Sequence, residues 1–361
     1  MSNYRVLHIG INSSIPTIFN TFCEKIYLMY RPAVERIFKE QENLETIKSS
    51  INISKKLNIL KRSREIKKIV QENNINIIFI NRKDDMIATK LAFLFKKKRP
   101  LILGTFHNPQ AWISDKKVKA FIPLMKWCLD GHLAMASFAY KKLIDNHFPQ
   151  NRIILFQNFI KYESFSQKEN YSYSVPFKIC YSGTIDPRKN ELFIVKAIAS
   201  LRKSFKIQYD IYGPFNDEQY KRDFLDFISK EQLDDCIHVY PRLSPLDEQK
   251  AFIEHDLYVS SSKYEMCPLN VLNAKACAMP ILISDSLGQQ DLIEDGVDGF
   301  KYKENDAQDA INKITTLLND ENLRKTIGKA AYKAVSETKS YIVAAERLKS
   351  FLEQLKSRKK K

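Results

Sequence analysis

Residues 256–286 read DLYVSSSKYEMCPLNVLNAKACAMPILISDS, and this stretch contains one complete unit of the fold. An apolar run over 256–262 is followed by a polar turn, by a segment with helical spacing of apolar residues, and by a second apolar run from Pro280. Two short apolar runs joined by a helical segment indicate parallel strands with a crossover helix. The stretch therefore predicts a strand–helix–strand unit with a polar turn after its first strand.

The same alternation runs through the rest of the chain. Apolar runs and amphipathic segments recur on both sides of 160–176, a polar, Ser- and Tyr-rich stretch that predicts a linker. Alternating strands and helices predict an α/β fold with two doubly wound, Rossmann-like domains facing a cleft. We expect an N-terminal domain over 1–165, a C-terminal domain over 166–338, and a final helix with a basic tail over 339–361. This last segment could pack back on the N-terminal domain.

The chain carries a net charge of +16, which is concentrated in its first half. Residues 1–165 contain 28 basic and 13 acidic side chains, a net charge of +15, whereas the remaining residues contain 30 basic and 29 acidic ones. A one-sided basic surface favours an anionic partner: a membrane surface, a phosphorylated substrate or a nucleic acid. The alternative is a solvated lysine face without a partner.

The apolar runs are too short to cross a membrane, since none approaches the roughly 20 apolar residues that a spanning helix needs. The first residues, MSNYRVLHIGIN, enter a strand pattern directly and lack the regions of a signal peptide. We therefore expect a cytoplasmic protein. Its six cysteines show no paired spacing and are expected to be small buried hydrophobes.

The stretch YSGTIDPRKNELFIVKAIASL, residues 181–201, contains a candidate anion site. A strand ends at Gly183, a turn with Pro187 follows, and Arg188 and Lys189 stand where a helix opens. Two cations and exposed backbone N–H groups at a helix start suit a phosphate or diphosphate. The structural alternative is a basic loop. The phosphate-binding patterns GxxxxGK[ST] and GxGxxG are both absent.

Glu265 is a second candidate, because it is a lone carboxylate between an apolar strand and an apolar helix. It could be a capping acid, stabilised by the dipole of the helix that follows. It could instead accept hydrogen bonds from sugar hydroxyls at a strand end, where open α/β sheets bind their ligands. In that case the N–H groups of Met266, Cys267 and Leu269 would point at an anion.

Three segments together resemble one known family. GTIDPRKN (183–190), DIYGPF (210–215) and YEMCPLNVLNAKACAMPILISDSLGQQDLIEDGVDGF (264–300) are similar, in order and spacing, to the group 1 (family 4) glycosyltransferases. These are retaining enzymes of the two-Rossmann-domain GT-B fold, and the resemblance covers roughly 177–335. It implies transfer of a sugar from a nucleotide sugar, most often a UDP-sugar, to a glycan or lipid-linked saccharide. It also implies a role in surface polysaccharide synthesis, such as capsule, O-antigen or exopolysaccharide.

The resemblance assigns roles to particular residues. Lys189 would bind the donor diphosphate, and Glu265 matches the first glutamate of the family's Glu-x7-Glu motif, which contacts the donor sugar. His107, in TFHNPQAW, follows an apolar strand as does the family's N-domain histidine, which faces donor sugar and acceptor. A structural loop histidine is the alternative there. These three residues form the predicted catalytic set. The predicted donor-binding residues are Gly183, Thr184, Arg188, Lys189, Met266, Cys267, Pro268, Leu269 and Asn273.

Two positions depart from the family pattern. Thr184 stands where the family usually has an arginine, and Asn273 stands at the second glutamate, which in the family binds the ribose hydroxyls. Arg188 could supply the missing cation. These departures leave open a non-catalytic homologue that binds a glycan or a partner enzyme, beside a nucleotide-sugar epimerase of the same fold. No helix-turn-helix, RRM or zinc-finger pattern supports a nucleic-acid partner, so we expect none.

The family's chemistry sets the expected mechanism. Negative charge develops on the leaving diphosphate, so fixed cations and N–H dipoles must stabilise it. By resemblance the configuration is retained through front-face attack, with the leaving phosphate taking the acceptor's proton and no protein nucleophile. The histidines show no metal-ligand spacing, and the fold typically needs no metal, so no cofactor or metal is expected.

The basic N-terminal half suggests where the acceptor lies. Acceptors of this family are often carried on lipid diphosphates at the inner leaflet, and each Lys or Arg near an anionic membrane contributes about 1 kcal/mol. We therefore expect KKLNILKRSREIKK (55–68) or FKKKRP (95–100) to face the inner surface of the cell membrane. The residues predicted for this acceptor and membrane surface are Lys55, Lys56, Arg62, Arg64, Lys96, Lys97 and Lys98.

Overall fold

The computed structural model describes residues 2–9, 14–30, 44–49, 58–96, 98–108, 112–173 and 175–359. Contacts within the chain divide it into two units. We name them the N-terminal unit, Met1–Asn158 with Tyr341–Lys361, and the C-terminal unit, Phe159–Ser340. The border expected between 165 and 166 lies inside the C-terminal unit, and so do residues 339 and 340.

The N-terminal unit is built on a seven-stranded parallel sheet with the order β3-β2-β1-β4-β5-β6-β7. Its strands are β1 (Ser2–Ile9), β2 (Cys23–Tyr30), β3 (Leu44–Lys48), β4 (Ile77–Ile80), β5 (Leu101–Gly104), β6 (Gly131–Ala134) and β7 (Ile153–Leu155). The order reverses between β1 and β4. Its helices are α1 (Ser14–Asn20), α2 (Asn58–Glu72), α3 (Lys83–Ala92), α4 (Asp115–Cys128) and α5 (Ser137–Asp145).

The C-terminal unit is built on a six-stranded parallel sheet with the order β10-β9-β8-β11-β12-β13. Its strands are β8 (Phe177–Ser182), β9 (Ile207–Tyr212), β10 (Ile237–Tyr240), β11 (Leu257–Ser260), β12 (Ile281–Ser284) and β13 (Phe300–Tyr302). Here the order reverses between β8 and β11. Its helices are α6 (Glu191–Leu201), α7 (Glu218–Lys230), α8 (Pro245–Glu254), α9 (Leu269–Ala276), α10 (Ala307–Asn319) and α11 (Glu321–Thr338).

The last helix, α12 (Tyr341–Lys359), belongs to the N-terminal unit. Arg347 on this helix donates a hydrogen bond to the carbonyl oxygen of Leu155 at 2.7 Å, and Arg358 donates to that of Asn151 at 2.8 Å. The helix also packs closely on β6, since a β-carbon on Gly131 would lie 2.6 Å from Leu355. The chain therefore returns to its first sheet after completing its second one.

The two parallel sheets confirm the predicted α/β fold with two Rossmann-like domains. The central strands read as continuous apolar runs because helices cover both faces of a parallel sheet, and every residue of β4, β5, β11 and β12 is buried. The strand–helix–strand unit predicted for 256–286 is present as β11, α9 and β12, with the two strands paired in parallel. All six cysteines are free and buried, as expected.

Candidate active site

The candidate site of the C-terminal unit lies at the carboxyl ends of β8 and β11, the two strands between which the sheet order reverses. The two strands are paired in parallel, so Gly183 and Ser261, which follow them, leave the sheet at the same edge. Ligands of open α/β sheets bind at such a switch point. The two segments predicted to carry the chemistry, 183–190 and 264–269, both begin there.

Arg188, Lys189 and Glu265 form one cluster at this edge. Arg188 Nη1 and Lys189 Nζ lie 2.5 and 2.6 Å from the same oxygen, Oε1 of Glu265. The carboxylate is buried, with 8% of the residue exposed. Two cations therefore share one carboxylate oxygen. The sequence placed each group at a strand end, and the fold brings them into contact.

The capping alternative for Glu265 is wrong. The N-cap residue of α9 is Pro268, and the carboxylate of Glu265 contacts the two cations. The expectation of exposed N–H groups at 188 and 189 is also wrong. The backbone N–H groups of Arg188 and Lys189 donate to Oδ1 of Asp186 at 3.0 and 2.9 Å. At this turn the anion site therefore depends on side-chain cations.

Gly288 allows the backbone to approach Glu265 closely. The N–H of Glu265 donates to the carbonyl oxygen of Leu287 at 2.8 Å. Gly288 has φ of +85°, and a β-carbon at that position would lie 1.8 Å from the carbonyl oxygen of Glu265. Only glycine fits such a contact at a positive φ. The loop after β12 thus positions the backbone of Glu265 at the edge of the sheet.

A buried polar network supports the strand ends below this cluster. Gln289 is fully buried, donates to the carbonyl oxygen of Ser262 at 3.1 Å and to Ser284 Oγ at 2.7 Å, and accepts from Ser260 Oγ at 2.7 Å. This amide joins the end of β11 to the end of β12. Sequence analysis missed it, although three consecutive serines at a strand end were a visible signal.

Glu191, at the start of α6, is a fully buried carboxyl group beside the cluster. It accepts a hydrogen bond from the hydroxyl of Tyr209, and Ser261 Oγ lies 3.0 Å from both Glu191 Oε1 and the carbonyl oxygen of Lys189. Burial raises the pKa of Glu191 to about 7, although these hydrogen bonds and the charge of Lys189 oppose the shift. Sequence analysis did not single out this residue.

A second carboxylate, Glu248, stands on the other side of the β8 end. Ser182 Oγ donates to its Oε1 at 2.5 Å, and the amide of Asn273 donates to its Oε2 at 3.0 Å. The amide of Asn270 donates to the carbonyl oxygen of Ser182 at 2.6 Å. Asn273, predicted as a donor-binding residue, therefore directs its amide at a carboxylate that sequence analysis did not consider.

The other predicted donor-binding residues lie in the two segments that contain the cluster. Gly183 and Thr184 follow β8, and the carbonyl oxygen of Thr184 accepts a hydrogen bond from the hydroxyl of Tyr181 at 3.0 Å. Met266 and Cys267 are buried, whereas Leu269, the first residue of α9, is 41% exposed. The first residue of α9 is therefore accessible to solvent.

In the N-terminal unit, His107 lies beside a cavity of about 610 Å³. It follows β5, and burial lowers the pKa of its imidazole to about 4, so the ring is neutral at pH 7. The cavity wall combines aromatic and basic side chains with His107, and its members include Arg82, Lys83, Phe106, Trp112, Lys117 and Phe121. Sequence analysis missed the three cations, although Arg82 and Lys83 directly follow the apolar run of β4.

The predicted acceptor and membrane surface is only partly compatible with the structure. Arg62 is buried and pairs with Asp85 and Glu65, each at 3.0 Å, so its assignment to a membrane surface is wrong. It is buried because α2 packs on α3, which carries Asp85. Arg64, Lys96 and Lys98 are exposed, whereas Lys55, Lys56 and Lys97 lie outside the described residues.

The exposed lysines lie away from the cavity. Lys96 and Lys98 precede β5, whereas His107 follows it, so the lysines and the cavity belong to opposite edges of the sheet. Phe95 beside these lysines is 92% exposed. Within the described ranges, no helix has both the length and the apolar character needed to cross a bilayer. In those same ranges, no three His, Cys, Asp or Glu side chains are grouped to hold a metal ion.

Comparisons with known proteins identify the family of the C-terminal unit. Residues 163–334 match the model described as glycosyl transferases group 1. The Campylobacter jejuni N,N'-diacetylbacillosaminyl-diphospho-undecaprenol alpha-1,3-N-acetylgalactosaminyltransferase is 36% identical over 96 residues, which are 27% of this chain and 26% of that protein. This chain thus spans about a quarter of the length of that relative.

Two further comparisons extend over most of the chain. The Campylobacter jejuni GalNAc-alpha-(1->4)-GalNAc-alpha-(1->3)-diNAcBac-PP-undecaprenol alpha-1,4-N-acetyl-D-galactosaminyltransferase is 23% identical over 340 residues, which are 88% of each protein. The crystal structure of Anabaena HepE in complex with UDP and glucose superposes with a TM-score of 0.79 at 14% identity, covering 97% of this chain and 100% of that chain. The latter likeness shows a shared GT-B fold. The family match thus assigns residues 163–334 of this chain to the group 1 glycosyltransferases, and the chain as a whole shares the GT-B fold.

Proposed function

We propose that this protein transfers a sugar from a UDP-sugar to a lipid-linked saccharide, with retention of the anomeric configuration, in the synthesis of a surface polysaccharide. The observation that carries the proposal is the cluster at the carboxyl edge of the C-terminal sheet. There, Arg188 and Lys189 hold one oxygen of Glu265 within 2.6 Å. A diphosphate and a sugar need these two kinds of group side by side.

The cluster has the charge that the reaction needs. When the bond between the anomeric carbon and the phosphate breaks, negative charge grows on the leaving diphosphate, and fixed cations stabilise it. Arg188 and Lys189 place two positive charges at this edge, beside the carboxylates of Glu265 and Asp186. A diphosphate that draws on these cations leaves Glu265 able to accept hydrogen bonds from the donor sugar. One preorganised donor of this kind is commonly worth about 2.7–4 kcal/mol of transition-state stabilisation.

Similar proteins support the choice of donor and acceptor. HepE, which shares the fold, has been crystallised with UDP and glucose. Both Campylobacter jejuni relatives are named for acceptors in which a saccharide is joined through a diphosphate to undecaprenol. We therefore assign a nucleoside diphosphate sugar to the C-terminal unit and a lipid diphosphate saccharide to the N-terminal unit.

The cavity beside His107 has the chemistry of such an acceptor. Phe106, Trp112 and Phe121 give the cavity an apolar, aromatic wall that suits a sugar ring, and Arg82 and Lys83 suit a diphosphate. His107 is neutral, so it exchanges hydrogen bonds with hydroxyl groups without adding charge. Binding of the N-terminal unit to an anionic membrane through the exposed Phe95, Lys96 and Lys98 is a separate proposal, because these residues lie at the opposite edge of the sheet from the cavity.

Nucleotide-dependent thermal unfolding tests the donor site. UDP at about 100 times its Kd should stabilise the protein by about 2.7 kcal/mol, whereas ADP and CMP at the same concentration should not. Lys189→Ala should abolish this shift and lower sugar transfer by about 100- to 1,000-fold. Lys203→Ala, which removes the same charge from an exposed position, is the matched control. The midpoints without nucleotide report whether both variants are folded.

The same assay tests the proposal that no metal is required. Because two side-chain cations serve the diphosphate, transfer and the UDP shift should both persist in EDTA. If no nucleotide stabilises the wild-type protein, the transferase proposal fails and a non-catalytic glycan- or partner-binding homologue takes its place. If EDTA alone abolishes transfer and added Mg²⁺ or Mn²⁺ restores it, the metal-free mechanism fails.

A further inference from the structure

We propose that Glu248 is the group that holds the ribose diol of the nucleotide, and that Asn273 positions its carboxylate. This inference rests on the proposed function and deepens it. Glu248 lies on α8, between the second and third of the segments that carry the family resemblance, and the resemblance assigns it no role. Its side chain nevertheless reaches the carboxyl end of β8, where it meets Ser182.

The environment of Glu248 differs from that of Glu265. Among the described residues, no cation pairs with Glu248, and its two oxygens accept from a hydroxyl and an amide. A carboxylate oxygen has two acceptor sites, so each oxygen of Glu248 can accept one more hydrogen bond. The carboxylate is half-buried and held from two sides. It is therefore a fixed, negatively charged acceptor of the kind that a pair of hydroxyl donors would bind.

The position of Glu248 matches the layout of a nucleoside diphosphate. Ser182, which holds Glu248, is the last residue of β8, and the loop that follows it leads to Arg188 and Lys189. In a nucleotide the ribose is joined directly to the diphosphate. In dinucleotide-binding folds of the same α/β type, an acidic side chain near the switch point binds the ribose hydroxyls. Glu248 contacts Ser182 at the end of β8, one of the two strands at the switch point.

Asn273 and Glu248 are coupled through their contact. The amide of Asn273 lies 3.0 Å from Oε2 of Glu248, so a second carboxylate at 273 would face the first at hydrogen-bond distance. Like charges at that separation repel, and one of the two groups would then take up a proton. A carboxylate at one of these two positions and an amide at the other can form the hydrogen bond, whichever position holds the carboxylate. The neutral residue at 273 is thus compatible with a working ribose site, because the charge resides at 248.

The alternative is that Glu248 only ties α8 to β8 and α9. The two roles differ in how the protein distinguishes UDP from 2′-deoxy-UDP. A ribose-binding carboxylate makes a charge-assisted hydrogen bond to the 2′-hydroxyl, and the wild-type protein should bind UDP roughly 10- to 100-fold more tightly than 2′-deoxy-UDP. If Glu248 has only a structural role, its substitution should change the Kd values of UDP and 2′-deoxy-UDP by the same factor.

The test measures Kd for both nucleotides by titration calorimetry. Glu248→Gln keeps the shape of the side chain and should bring the ratio of the two Kd values close to one, mainly by weakening UDP. Asn273→Glu alone should weaken UDP, because it sets two carboxylates together. The double variant Glu248→Gln with Asn273→Glu should regain a preference for UDP, since it restores one carboxylate and one amide.

Glu254→Gln is the matched control, because it removes the same charge from an exposed position on the same helix and should leave the ratio unchanged. Unfolding midpoints without nucleotide show that each variant is folded. UDP binding with the wild-type ratio in Glu248→Gln would overturn this inference and leave the proposed function standing. A wild-type protein that binds no nucleotide would overturn both.

Discussion

Replacing Glu191 by glutamine should remove a pH dependence from the stability of the C-terminal unit. Burial raises the pKa of Glu191 from 4.5 to about 7 in the folded chain, so the folded state holds a proton that the unfolded state releases. The contribution of this proton to the free energy of unfolding is fully present below pH 4.5 and is lost as the pH rises through 7. The difference of about 2.5 pKa units corresponds to roughly 3 kcal/mol, since each unit is worth about 1.4 kcal/mol.

The assay is urea unfolding of both proteins between pH 4 and pH 8. The difference between their free energies of unfolding should stay constant below pH 4.5. Above that pH it should shift in favour of Glu191→Gln, by roughly 3 kcal/mol at pH 8. Because the two proteins share all other titratable groups, the contributions of those groups cancel in this difference. Buried His8 and His132, whose pKa values burial lowers to about 3, are shared by both proteins and act in the opposite direction. Their contribution to stability is present above pH 6.5 and falls as the pH drops.

A constant difference across the whole range would refute the reasoning. It would mean that the hydroxyls of Tyr209 and Ser261, together with the charge of Lys189, hold Glu191 ionised despite its burial. Tyr209→Phe sharpens the test, because it removes a donor to the carboxylate. This variant should move the pH at which stability is lost to a higher value.

Two further predictions concern the backbone at Glu265 and the surface of the N-terminal unit. Gly288→Ala should weaken UDP binding and lower stability well beyond the matched Gly296→Ala. Both glycines have positive φ, but of the two only at Gly288 would a β-carbon meet another atom, at 1.8 Å. Equal losses in the two variants would contradict the close approach. Removing Lys96 and Lys98 together should lower binding to anionic vesicles roughly 30-fold, at about 1 kcal/mol for each lysine, in a flotation assay. Replacing the exposed Lys116 and Lys119 on α4 provides the control, and an equal loss there would indicate unspecific charge attraction.

The fold was largely predictable because its physical signal is local. Parallel strands that are buried on both faces need short continuous apolar runs, and the run over 256–262 contains β11 for that reason. The meeting of Arg188 and Lys189 with Glu265 followed from a rule of the same kind. Each group stands after a strand, and parallel neighbouring strands bring their carboxyl ends to one edge.

What the sequence did not predict depends on partners distant in the chain. Arg62 lies in a basic amphipathic segment and looks exposed, but Asp85, 23 residues away, pairs with it when α2 packs on α3. The sequence suggested that the N–H groups at 188 and 189 are available to an anion, but in the structure both donate to the side chain of Asp186. Such side-chain-to-backbone bonds depend on the turn conformation, which a sequence of common turn residues does not fix.

The two carboxylates at the end of β8 and β11 carry their charge in opposite ways, and this division has a chemical reason. Glu265 contacts two cations, so an arriving diphosphate meets positive charge beside the carboxylate that would hold the donor sugar. Among the residues that the structure describes, Glu248 accepts from two neutral donors and pairs with no cation, so none competes there with the hydroxyls of a ribose. If the two environments were exchanged, the phosphate would meet an uncompensated carboxylate and the diol a neutralised one. The placement of charge around one strand end therefore fits the order of groups in a nucleotide sugar.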